Sequence, residues 1–276
     1  SRGGMGVVYR AETPDGALKA LKILPRPELE LRERFRREAK VAATLAHPGL
    51  IRVEDYGDES GVAWLRMPFV KGQNLAEWSR ARFGAGAETP LVEAVEIIAA
   101  VAEALDYMHG MGVIHRDVKP ANIVLEGADG SHPRPILIDL GLVRRVGVAA
   151  VSGLEESLSR TGELLGTPAF MSPEQLDSDG AVGVETDVWG LGATLFFALT
   201  GEEPFTAGSV FGLVLKVEES PAPRLSERRS DVPADVDELA RAMLARDPAA
   251  RGMNCGIDAQ AASVAVTSAV NLDGES

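Results

Sequence analysis

Hydrophobic and polar positions change period along this chain, and the changes mark its elements. In Leu18-Lys-Ala-Leu-Lys-Ile-Leu24, apolar residues recur at the short period of a strand. Ala20, Lys22 and Leu24 then share one face, and Lys19, Leu21 and Ile23 the other. From Leu31 to Leu45 the period lengthens to that of a helix, with Leu31, Phe35, Ala42 and Leu45 in one stripe. His47-Pro48 closes that helix, because a residue before proline is pushed out of the helical region. Trp64 to Val70 is an apolar strand. Leu91 to Met111 is a long amphipathic helix, with Leu91, Val95, Ile98, Leu105 and Met108 on one side. Ile123–Leu125 and Pro135–Ile138 are short buried strands. Asp187 to Leu199 is apolar enough for a central buried helix. The small-residue stretches 83–87 and 127–130 read as loops.

Composition narrows the class. The 276 residues are 45% hydrophobic and 25% charged, ordinary for a globular protein with a sizeable core. A net charge of −13 argues against a nucleic-acid binder and suits basic peptide partners. The single cysteine, Cys255, excludes an intramolecular disulfide framework and suits the cytosol. No Cys/His pairs stand at zinc spacing, and no apolar run is long enough to span a membrane. A cytoplasmic location is therefore expected, with membrane anchoring of a longer parent protein left open.

Polar clusters carry the candidate chemistry. His115-Arg-Asp-Val-Lys-Pro-Ala-Asn122 packs a carboxylate, a cation and a carboxamide into six positions, Asp117 to Asn122, around a helix-breaking proline. Apolar runs on both sides make it a rigid loop held by a scaffold. Ser1-Arg-Gly-Gly-Met-Gly-Val-Val8 is a glycine turn whose amides can approach phosphate oxygens. It leads into a strand, so it is neither a Walker loop nor a Rossmann turn. Glu38 lies on the core-facing stripe of its helix. A carboxylate there is costly unless paired, and Lys22 is the expected partner. Lys19 reads as a solvated strand residue.

Together these motifs resemble the eukaryotic-like (Hanks-type) bacterial serine/threonine protein kinase catalytic domain. The catalytic loop matches H-R-D-x-K-P-x-N. Asp139-Leu-Gly141 stands for D-F-G, and Gly166-Thr-Pro-Ala-Phe-Met-Ser-Pro-Glu174 ends an activation segment with Ser-Pro-Glu for A-P-E. The resemblance covers about residues 1–252. It implies an α+β, bilobal fold with a small β-rich N-lobe over 1–70 and a larger helical C-lobe over 71–252. The first strand is expected to be missing, and 253–276 forms a tail of uncertain structure.

The same resemblance implies roles. Gly3, Gly4, Gly6, Val8, Ala20, Lys22, Met67 and Val70 bind ATP. Lys22 is held by Glu38. Asp117 is the base, Lys119 neutralises the γ-phosphate, and Asn122 and Asp139 hold Mg²⁺, with Mn²⁺ an alternative. Thr167, Glu174, Asp187 and Arg251 are structural, with Arg251 pairing Glu174. Arg116 would contact a phosphate on the activation loop, with Thr161 and then Ser159 as autophosphorylation sites. Partners are proteins bearing Ser/Thr hydroxyls and a second copy for trans-autophosphorylation. Ser1 for Gly, Lys19 for Val and Leu140 for Phe favour a non-catalytic scaffold slightly. Every charged catalytic position is nevertheless filled. A small-molecule kinase of the same fold is disfavoured by the Gly-Thr-Pro and Ser-Pro-Glu segment.

Overall fold

The computed structural model describes residues 2–3, 6–25, 29–127, 133–139, 168–177 and 180–251. The chain opens with a five-stranded antiparallel sheet in the order β1-β2-β3-β5-β4. Its strands are β1 (Arg2–Gly3), β2 (Gly6–Glu12), β3 (Leu18–Pro25), β4 (Asp55–Glu59) and β5 (Val62–Pro68). The sequence predicts no strand ahead of the glycine turn. Arg2 and Gly3 instead pair with Val7 and Gly6, so two residues of that strand are present. Helix α1 (Leu29–Ala42) packs on the sheet with Phe35 and Ala42 of the stripe read from sequence buried, and Ala39, which that stripe did not include, buried beside them.

The remainder is mainly helical. β6 (Gly72–Asn74), β7 (Ile123–Glu126) and β8 (Arg134–Leu137) form a small antiparallel sheet. The helices are α2 (Leu75–Gly84), α3 (Leu91–Gly110), α4 (Pro173–Leu176), α5 (Glu185–Thr200), α6 (Val210–Glu219) and α7 (Ala234–Met243). Asn74 and Glu77 form a reciprocal capping box that starts α2. That helix runs through Phe83 and Gly84, two residues into a stretch the sequence reads as loop. α5 is buried almost throughout, as its uniformly apolar sequence requires. Gly201 ends it at φ 73°, a left-handed cap that glycine adopts without steric cost.

One hydrophobic core runs from α1 through α3 to α5 and α7. Backbone hydrogen bonds tie β8 to the segment between α1 and β4. Ile51 N–H donates to Leu137 O at 3.0 Å, and Leu137 N–H donates to Gly49 O at 2.8 Å. The end of α1 docks on α3, where His47 stacks on Tyr107 at 5.3 Å and Ala46 N–H donates to the Tyr107 hydroxyl at 3.1 Å. The β8 end and the loop between α3 and β7 therefore face the first sheet across one crevice.

Candidate active site

The loop from His115 to Asn122 is shaped by its own sequence and clamped from below. Pro120 starts a 3₁₀ turn over Pro120–Asn122, and Asn122 N–H donates to Lys119 O at 2.9 Å. That turn carries the Asn122 side chain back to Asp117. Asn122 Nδ2 donates to Asp117 Oδ2 at 2.9 Å and to Asp117 O at 2.8 Å. Lys119 Nζ lies 3.0 Å from the same Asp117 Oδ2. Asp117 is thus oriented by a cation and an amide together. His115 is fully buried, and its Nδ1 accepts from Asp117 N–H at 3.2 Å. Burial holds the His115 pKa below the usual imidazole value, although Asp187, Asp117 and Asp139 oppose the shift. The ring accepts that hydrogen bond as the neutral form.

Asp187, in the first turn of α5, fixes the loop backbone. Its carboxylate accepts from His115 N–H at 2.8 Å and from Arg116 N–H at 2.7 Å. His109 Nε2 lies 2.8 Å from Asp187 Oδ2. Arg116 takes φ 65°, a conformation rare for a side chain of its size. Gln175 Nε2 donates to Arg116 O at 2.8 Å and holds the other side of that residue. Gly190 lets α5 approach the loop: a Cβ there would lie 2.7 Å from Val118 O and 2.9 Å from Val118 Cβ.

Facing this loop, β3 presents Lys22. Directly opposed residues on paired strands share a face. Val8 opposes Lys22, and Ala20 opposes Met67, so these four side chains converge on one surface. Val70 packs on the core just beyond β5. Gly3 and Gly6 pair across the hairpin, while Gly4 lies outside the described residues. Lys19 is not simply solvated: its Nζ pairs with Glu54 at 2.6 Å.

The expected Lys22–Glu38 pair is not formed. Lys22 Nζ pairs with Asp139 Oδ1, just past β8. Glu38 accepts from Arg34 Nε at 3.0 Å, and its second oxygen accepts no hydrogen bond from a described residue. Two physical reasons account for this. Arg34 is one helical turn away and always within reach of Glu38. Asp139 competes for the ammonium from the opposite wall of the crevice. Half-burial pushes the Glu38 carboxyl upward, with Arg34, Arg116 and Arg37 opposing. Burial also works to raise Asp139, but the Lys22 ammonium outweighs it and holds that carboxyl below its usual range.

Asp139 takes φ 60°. Ile138 N–H donates to Asn122 O at 2.8 Å, which ties the residue before Asp139 to the metal-ligand candidate Asn122. Asn122 Oδ1 accepts no hydrogen bond from a described residue, because the amide nitrogen makes the contacts to Asp117. Among the described residues no group of three or more His, Cys, Asp or Glu is gathered for a metal. The Asp139 carboxylate and the Asn122 amide oxygen are the donor types that suit a hard cation taking its other ligands from phosphate and water. The residues therefore fit Mg²⁺ or Mn²⁺ brought in with a nucleotide.

Glu174 and Arg251 form a buried bidentate pair at 2.7 and 2.9 Å, with Thr186 Oγ1 donating to Glu174 Oε1 at 2.7 Å. Thr167, Thr161 and Ser159, with Leu140 and Gly141, lie outside the described residues. Sequence reasoning missed Arg34, His109 and Gln175. Arg34 carried a readable signal, its i,i+4 spacing from Glu38. His109 and Gln175 gave none, because their partners are distant in sequence.

A lysine on β3, paired with the aspartate just past β8 and set by an aspartate-lysine-asparagine loop, is the arrangement of a phosphotransferase. The profile of the protein kinase domain family matches residues 1–258, and the chain belongs to that family. It is 40% identical over 270 residues to serine/threonine-protein kinase PknJ of Mycobacterium tuberculosis, covering 96% of this chain and 44% of that protein. PknF of the same species is 36% identical over 257 residues, covering 92% of this chain and 52% of PknF. The chain thus spans about half the length of these relatives or less. The crystal structure of the M. tuberculosis PknI kinase domain matches at TM-score 0.71 and 30% identity, covering 95% of this chain and 92% of that one. Among the described residues no helix is long and apolar enough to cross a membrane.

Proposed function

We propose that this chain is the catalytic domain of a serine/threonine protein kinase that moves the γ-phosphoryl group of Mg-ATP to hydroxyls of proteins, its own activation segment included. The observation that carries the reading is the Asp117 carboxylate, oriented by Lys119 and Asn122 on a loop clamped to α5. In this reaction there is little covalent work for the protein, and positioning with charge neutralisation dominates.

The substrate hydroxyl oxygen forms a bond to the γ-phosphorus as the bond from that phosphorus to the ADP oxygen breaks. Asp117 orients the hydroxyl and takes its proton. Lys119, already beside Asp117, faces the transferred group and offsets its charge. Lys22 binds the α- and β-phosphates, exchanging Asp139 for phosphate oxygens, and Glu38 becomes available to hold it once it leaves Arg34. Val8, Ala20, Met67 and Val70 form the apolar slot for the base, and Gly3, Gly4 and Gly6 offer amides to the phosphates. Asn122 and Asp139 would hold the divalent cation, which would supply neutralisation of phosphate charge. Arg116 receives the phosphate of a modified activation segment, with Thr161 first and Ser159 next.

The test is intact mass after incubation with Mg-ATP, beside Asp117→Asn. Added phosphate on the wild type alone supports the reading, and site mapping decides Thr161. No phosphate on either protein, with nucleotide still raising the melting temperature, would replace it with a nucleotide-binding scaffold.

A further inference from the structure

Gln175 is buried in α4, 5% exposed, and its side-chain amide serves two structures at once. The oxygen works within its own helix. Gln175 Oε1 accepts from Ser172 N–H at 3.2 Å and from the Ser172 hydroxyl at 3.4 Å. The nitrogen reaches outside the helix, where Nε2 donates to Arg116 O at 2.8 Å. The cap needs only an oxygen. A glutamate would supply it equally well, with the helix dipole in its favour. A glutamate carboxylate has no N–H to offer Arg116. The loop contact, rather than the helix, therefore explains a glutamine at this position.

Arg116 precedes the proposed base, and both of its peptide groups are held. Its N–H donates to Asp187 Oδ1 at 2.7 Å, which fixes the peptide ahead of it. Its carbonyl belongs to the peptide that leads into Asp117. Gln175 holds that carbonyl, and the N–H of the same peptide donates to His115 Nδ1 at 3.2 Å. At φ 65° an arginine gains nothing from local preference, so these contacts keep it there. Turning the 116–117 peptide would swing the Cα–Cβ bond of Asp117, and with it the carboxylate beside Lys119 and Asn122. On its other side Gln175 adjoins Glu174, which is locked by Arg251 and Thr186. One side chain thus links the segment 168–177 to the peptide that aims Asp117.

We propose that Gln175 is a positioning residue for phosphoryl transfer: through the Arg116 carbonyl it sets the direction of Asp117, and it makes that direction depend on the seating of the segment 168–177; the inference rests on the kinase reading above.

The test compares wild type with Gln175→Glu and Gln175→Met, with histone as the acceptor protein. Gln175→Glu keeps the size and the helix cap but sets a carboxylate oxygen against Arg116 O. At about pH 8 its kcat should fall by about 10–100-fold, the scale of a displacement of about 1 Å at a reacting group. KM for Mg-ATP, and the calorimetric Kd of a non-hydrolysable ATP analogue, should stay within about twofold, because the nucleotide wall on β3 and β5 is untouched. Lowering the pH to about 6 protonates the introduced carboxyl, whose O–H then donates to the same carbonyl, so the deficit relative to wild type should shrink. Gln175→Met has no donor at any pH, and its deficit should not shrink. Should the buried carboxylate prevent folding, Gln175→Met decides alone through the same split of kcat from KM. A kcat within about twofold of wild type, a KM that rises in step with the loss of kcat, or a Gln175→Glu deficit that persists in acid overturns the proposal. A wild type that phosphorylates neither histone nor itself overturns the kinase reading instead, and this role with it.

Discussion

Arg251→Ala is the sharpest test of how this fold holds its substrate-side segment. Arg251 is 3% exposed, and its guanidinium uses every donor it has. Two go to Glu174, and one each to Ala245 O at 2.6 Å, Glu185 O at 3.1 Å and Arg246 O at 2.9 Å. Its face lies 4.9 Å from the Trp189 ring centroid. Truncation leaves the Glu174 carboxylate, 8% exposed, with Thr186 as its remaining side-chain donor. Removing one member of a buried pair costs about 3–5 kcal/mol. At about 2–4 °C per kcal/mol for a domain of this size, the melting temperature should fall by about 6–20 °C.

Arg251→Lys keeps the charge but offers three donors without the planar fork, so it should recover only part of the loss. The sign of the pH dependence adds a second readout. Burial alone would raise Glu174, yet Arg251 and Thr186 hold its carboxyl below the usual range. The stabilisation is therefore full above the unfolded carboxylate pKa and is lost as pH falls through the lower folded value. Urea unfolding of wild type and Arg251→Ala across acidic pH should show the gap between them narrowing as pH drops. A gap under about 1 kcal/mol at neutral pH, or one that widens in acid, would refute the reasoning.

Three further outcomes are expected. Asp117→Asn keeps the shape of the loop but removes the proton acceptor, so phosphate incorporation should fall by about 10²–10⁴-fold with the melting temperature nearly unchanged. Gly190→Ala drives a methyl group into Val118 beside Asp117 and should cost about 1–3 kcal/mol in urea unfolding while also lowering the transfer rate. His115 is buried in its neutral form with a lowered pKa, so stability should decline as pH falls below its unfolded value of 6.5 toward the folded one, and His115→Phe should flatten that part of the curve.

The order of elements and the loop from His115 to Asn122 were legible because their signals are local. Period-two alternation in β3 places Lys22 on the buried face, and the proline at 120 forces the turn that returns Asn122 to Asp117. The stripe through Phe35 correctly turned Glu38 inward, but its partner was misjudged. Which of two cations it meets depends on how α1 sits relative to β3 and β8, and no spacing in the sequence encodes that placement. β6 was missed because Gly72-Gln-Asn74 has neither apolar content nor alternation, and it is a strand only because β7 lies beside it.

The Asp187 carboxylate ties the loop amides of His115 and Arg116 to α5, the most deeply buried helix among the described residues. Those two amides cannot exchange their hydrogens with solvent through a small local opening, since releasing them means parting the loop from α5. Their exchange should follow the global unfolding free energy, like the amides of the core helices themselves. The His115–Asn122 loop, though irregular in shape, then belongs to the slowest-opening cooperative unit of the described structure. On the proposed function, the motion that admits nucleotide and releases product is expected in the first sheet and α1, where Lys22 pairs with Asp139 and Glu38 with Arg34.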